Sequence, residues 1–98
     1  MANKYKHLNF PQAEFDFHDL GPLTEQEILT LADQFIDRCL EKDLSVISFI
    51  VGQGKHSAKG PVIKPLLMDF FKDHPEVVSY SEGKFAQGGQ GVLIVRLK

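Results

Sequence analysis

The sequence predicts an α/β fold of the two-layer (α+β) sandwich kind, a four-stranded mixed sheet with two helices in the order βαβαββ. Three observations lead there. Apolar residues recur at three-and-four spacing in segments 28–40 and 62–71, four other segments alternate or run continuously apolar, and the two kinds of segment interleave. A helix between two parallel strands makes a crossover that is right-handed in nearly all proteins, so both helices are expected to cover the sheet. The last two strands are placed to form a hairpin.

Phe15, Asp16, Phe17 and His18 alternate apolar with polar, and the aromatics favour a first strand over 15–18. Thr24 and Glu27 have capping-box spacing, in which hydroxyl and carboxylate satisfy each other's backbone donors at a helix start. From Ile28 the apolar positions Leu31, Ala32, Phe35, Ile36, Cys39 and Leu40 lay one stripe along that helix, with Asp33, Asp37 and Arg38 on the other side. After Glu41 to Asp43 break the pattern, Leu44 to Val51 read as a strand covered on both faces. Gly52 to Gly60 is a loop by composition. Val62, Ile63, Leu66, Leu67, Phe70 and Phe71 repeat as a second helix, with Pro65 tolerable only in its first turn and His74-Pro75 ending it. Val77 to Ser81 and Val92 to Leu97 are the last strands, around a glycine-rich loop. Residues 1–14 show no clear period and read as an N-terminal arm to a domain over 15–98.

A chain of 98 residues with 43% hydrophobic content is expected to form one core. It holds no apolar run of the roughly 20 residues that span a bilayer, and its first residues are polar and basic. With one cysteine, Cys39, no internal disulfide can form, which suits a reducing compartment. A soluble cytoplasmic protein without membrane contact is the expectation. A net charge of −2 excludes coating of nucleic acid by bulk attraction, so any such contact must be local. The charge is unevenly spread: residues 14–43 carry −7, whereas 44–68 carry +3 from Lys55, Lys59 and Lys64.

Asp16 and His18, two apart on a strand, leave the same face and can act as neighbours. A carboxylate beside an imidazole fixes its tautomer and raises its basicity, the pairing used in general acid–base chemistry. Two polar groups on a solvated face have the same spacing. Gly52, Gln53 and Gly54 follow a strand and precede a helix, where backbone donors and the helix dipole attract an anion such as phosphate. Lys55, His56, Ser57 and Lys59 add donors and positive charge there, while a plain turn is the alternative. Gly88 and Gly89, with Gly91, either let backbone approach the same ligand or shape a loop. His7 and His74 have no chemical partner in the sequence. Asp16, His18 and His56 match no metal-ligand spacing, and neither a metal nor another cofactor is expected.

Three stretches, FDFHDLG at 15–21, VGQGKHSAKG at 51–60 and QGGQGVLIVRLK at 87–98, together resemble the marker regions of the small MutS-related (Smr) domain family. The resemblance covers residues 14–98. Asp16 and His18 fall on the family's D-x-H motif, Gly52 and Gly54 on its H/T-G-x-G motif, extended by His56 and Ser57. Val51 stands where the family usually has histidine or threonine, and Asp19 where it usually has glycine. The first removes a side-chain donor, and the second adds negative charge beside the presumed anion site.

The resemblance implies a fold similar to the C-terminal domain of bacterial initiation factor three, and binding to nucleic acid with DNA nicking or RNA cleavage. It implies catalytic roles for Asp16 and His18 and phosphate binding by the Gly52–Ser57 loop. The leading expectation is thus a metal-independent endonuclease acting on DNA or RNA. The alternatives are a non-catalytic module that binds nucleic acid, on a ribosome or a branched structure, and a protein-interaction domain whose acidic first helix meets a basic partner.

Overall fold

The computed structural model of the chain describes residues 11–17, 20–52, 63–83 and 91–98. Its elements run β1 (Ala13–Asp16), α1 (Glu25–Glu41), β2 (Val46–Ile50), α2 (Ile63–Asp73), β3 (Val77–Glu82) and β4 (Val92–Leu97). The sheet order is β1-β2-β4-β3, with β1 parallel to β2 and β4 antiparallel to both of its neighbours. This is the expected βαβαββ arrangement with a mixed sheet.

β1 differs from its expected place: it begins at Ala13, inside the stretch read as an arm, and ends at Asp16 rather than His18. Gln12 explains the early start. Its N–H donates to the Val46 carbonyl at 2.7 Å, and its Oε1 accepts from the N–H groups of Ser45 and Val46 at 2.8 and 3.0 Å. One side chain thus fixes the chain before β1 to the start of a strand more than thirty residues away.

α1 starts as its sequence requires. Thr24 Oγ1 accepts from the Glu27 N–H at 3.1 Å, while Glu27 Oε1 accepts from the Thr24 N–H at 2.8 Å. Its end is less expected. The Leu44 N–H reaches the Cys39 carbonyl and the Asp43 N–H the Leu40 carbonyl, a Schellman turn that places Asp43 at φ 59°, where glycine is usual. α2 begins at Ile63, so Pro65 sits in the first turn, where a missing N–H loses no helical bond. No helix among the described residues is long and apolar enough to cross a membrane.

Strand alternation and register divide the sheet into two faces. Ala13, Phe15, Ile47, Phe49, Leu93, Val95 and Leu97 face the helices and form one core with Ile28, Ala32, Phe35, Ile36, Leu67 and Phe71. Five aromatic rings concentrate there. Phe49 lies 5.2–6.3 Å, centroid to centroid, from Phe15, Phe17, Phe35 and Phe71. Cys39 is buried in this core, which pushes its thiol pKa up against the opposing pull of Lys42 and Arg38. The opposite face carries Val46, Ile50, Val92 and Ile94, a second cluster with no described helical residue in it. Between them Ser48 is fully buried, and its hydroxyl has no hydrogen-bond partner among the described residues.

Three stability measurements follow from these contacts. Phe49→Ala is expected to lower unfolding free energy by about 3–5 kcal/mol, because four rings lose a shared neighbour and a cavity remains. Ser48→Ala should raise it by about 1 kcal/mol, since an unsatisfied buried hydroxyl is removed with little change of shape. Asp43→Gly should raise it by about 0.5 kcal/mol by relieving a left-handed backbone. Urea denaturation followed by circular dichroism reads all three, and a destabilised Ser48→Ala would mean that the hydroxyl has a partner.

Candidate functional site

The strands decide which parts of the chain meet. Because β1 and β2 are parallel with Asp16 opposite Ile50, both leave the sheet at the same end. β4 is antiparallel to β2 with Val92 opposite Ile50, so it starts at that end, and β3 finishes there with Glu82 opposite Leu93. The chain therefore passes this one edge at Phe17, at Gly52, at Gly83 and at Gly91.

Backbone bonds tie these points together. The Phe17 N–H donates to the Ile50 carbonyl at 2.9 Å, carrying the β1–β2 ladder one step past the strand, and the Leu20 N–H then turns back to the Phe17 carbonyl at 3.2 Å. The Gly91 carbonyl accepts from both Val51 N–H at 2.8 Å and Gly52 N–H at 3.2 Å. The Gly83 N–H donates to the Val92 carbonyl at 2.8 Å. Gly52 has φ 72°, a left-handed conformation that a side chain would disfavour, so glycine is needed here for the turn itself. Its amide donates to the Gly91 carbonyl, so Gly52 has a structural part in joining β2 to the start of β4.

Asp16 is half-buried and occupies the sheet face opposite the helices, because its neighbours Phe15 and Phe17 point into the aromatic core. Those rings lie 4.8 Å apart, and Phe17 stacks on Phe49 with planes 20° apart. Packing of Phe15 and Phe17 thus holds the end of β1, which carries Asp16. Of the residues singled out in the sequence, Asp16 and Gly52 are brought to the same edge. His18, Gln53, Gly54, Lys55, His56, Ser57, Lys59, Gly88 and Gly89 lie outside the described residues, as does Asp19.

Two features were not visible in the sequence. Lys64, counted among the cations of the middle segment, pairs with Glu82, so part of that positive charge is neutralised where α2 meets β3. His74 links elements: its Nδ1 accepts from the Glu76 N–H at 3.1 Å, which leaves Nε2 to donate to Asp33 Oδ1 at 3.1 Å and joins α2 to α1. Val51, at the position of the family's histidine or threonine, is half-buried against the helix-side core.

Comparison with known proteins agrees with this topology. Residues 18–98 match the model of the Smr domain. Curated relatives include Endonuclease MutS2 of Clostridium novyi (strain NT), 34% identical over 80 residues, and Endonuclease MutS2 of Clostridium beijerinckii, 32% identical over 80 residues. In both, the match covers 82% of this chain and 10% of the relative, so the chain spans about a tenth of those proteins. Among solved structures, the Smr domain of Thermus thermophilus MutS2 superposes with a TM-score of 0.74 at 23% identity, covering 88% of this chain and 98% of that one. YdaL, a stand-alone small MutS-related protein from Escherichia coli, superposes with a TM-score of 0.75 at 21% identity, covering 91% and 67%. Since the Smr model matches residues 18–98, most of the sequence, the chain belongs to the Smr domain family.

Proposed function

We propose that this domain binds nucleic acid at the edge where β1 and β2 end, and that His18, oriented by Asp16, cleaves a phosphodiester there. The observation that carries the reading is the convergence of Asp16 with the Gly52 turn and the Gly83 and Gly91 ends of the last hairpin. The names of the MutS2 relatives, endonucleases, point the same way.

In this reading His18 moves a proton to or from the attacking or leaving oxygen, and the Asp16 carboxylate holds its ring. On RNA the 2′-hydroxyl is the nucleophile: His18 takes its proton, the 2′-oxygen bonds to phosphorus to give a 2′,3′-cyclic phosphate, and the bond to the 5′-oxygen breaks, that oxygen leaving with a proton from water. No metal enters this route. Since the Gly52 amide is bonded to Gly91, charge on the phosphoryl oxygens is met by the segment after it. Gln53, Gly54, Lys55, His56, Ser57 and Lys59 supply the donors, while Gly88 and Gly89 let backbone come close. The cytoplasm, with its reducing milieu and its RNA, is the compartment this reading takes.

A second reading, binding without chemistry, is favoured by Val51. Its side chain packs against the core where the family's usual residue would offer a donor. A ribosome or a branched nucleic acid is the target in that case.

A cleavage screen over single-stranded, duplex and branched DNA and RNA, with chelator present, tests both. Cutting is expected to survive the chelator and to fall by about 10²–10⁴-fold in His18→Ala, while binding persists. Lys55→Ala and Lys59→Ala should weaken binding and each lower the slope of log K against log salt by about one. Unchanged cutting by His18→Ala ends the catalytic assignment. Binding with no turnover on any substrate selects the second reading, and no binding at low salt removes both.

A further inference from the structure

A groove runs along the seam between α1 and α2, on the side of the helices away from the sheet. It consists of two open hollows that share Phe70 and Asp73, one of 510 Å³ and one of 310 Å³. On α1 its wall is the stripe Leu29, Asp33, Asp37, each one helical turn from the last. On α2 the wall is Leu66, Phe70 and Asp73 at the same kind of spacing. The floor is apolar and the rim acidic. The lining holds four carboxylates, Asp33, Asp37, Asp69 and Asp73, against one lysine, Lys72, and Asp33 is bonded to His74. The hydrogen bond from His74 to Asp33 and the edge-on contact of its ring with Phe70 at 5.3 Å close the far end.

Position separates this groove from the proposed nucleic-acid edge. α2 runs from the end of the sheet where Gly52 leaves to His74 at the other, so the acidic end of the groove lies far from the strand exits. Its charge also excludes a polyanion. Carboxylates along an apolar trough suit a segment that presents Lys or Arg beside apolar side chains at helical spacing, the groove mode of peptide recognition.

We propose that the α1–α2 groove is a docking surface for a cationic amphipathic helix of a protein partner. Apolar side chains of that helix pack on Leu29, Leu66 and Phe70, and its cations meet Asp37 and Asp73. The domain then has two faces of opposite preference, one for a polyanion and one for a polycationic peptide. This assignment is independent of whether the strand edge cuts nucleic acid.

The probe is a dye-labelled synthetic peptide with Leu at i, i+3, i+4 and i+7 and Lys between, followed by fluorescence anisotropy. Its counterparts carry Glu for Lys, or Ser for Leu. The Lys/Leu peptide is expected to bind and both counterparts to fail. Asp37→Asn with Asp73→Asn should weaken binding about tenfold, whereas Glu25→Gln with Glu41→Gln, an equal loss of charge on exposed α1 positions outside the groove, should weaken it by less than about twofold. The proposal is overturned if the peptide does not bind, if the two double variants weaken it equally, or if the Glu or Ser peptide binds as well.

Discussion

The ring of Phe49 is the contact on which the molecule depends. It sits in the middle of β2 and touches rings from β1, α1 and α2. No other described side chain joins so many elements through aromatic packing. Phe15 meets it from β1 and Phe17 from the residue just after the strand, and that pairing brings the end of β1 beside the end of β2. The candidate site exists because an aromatic cluster on one face of the sheet holds the strand whose other face carries Asp16. Interior packing tolerates little displacement, so the cluster fixes the edge more firmly than a surface ion pair could.

Much of this was legible in the sequence, and the reasons are local. The capping box at Thr24 and Glu27, the stripe from Ile28 and the placing of Pro65 depend on neighbours within a turn or two, and each helix starts where those residues require. The parallel pairing of β1 with β2 was legible from the intervening helix, because a right-handed crossover leaves few other arrangements. The observed register, Asp16 opposite Ile50, then puts Asp16 and Gly52 at one edge.

What escaped the sequence depends on distant partners. The start of β1 rests on Gln12 bonding to Ser45 and Val46, and nothing near Gln12 announces it. The end of α1 uses Asp43 in a left-handed turn where a glycine would have signalled the stop. His74 looked idle because Asp33 is one helix away and Glu76 offers a backbone donor. Gly52 was read as a donor from its composition and setting, yet its amide is taken by Gly91, a residue known to be adjacent only once β4 is in place.

The two outer strands give the sheet a further property. β1 has four residues, and the pairing of β3 with β4 slips between Val77 and Ser79, leaving Val78 61% exposed at the irregularity. A stray extended chain approaching either margin meets a short or interrupted row of backbone groups, which gives it a poor template to extend. Resistance to stacking into fibres is thereby built into the same sheet that gathers its loops at one end.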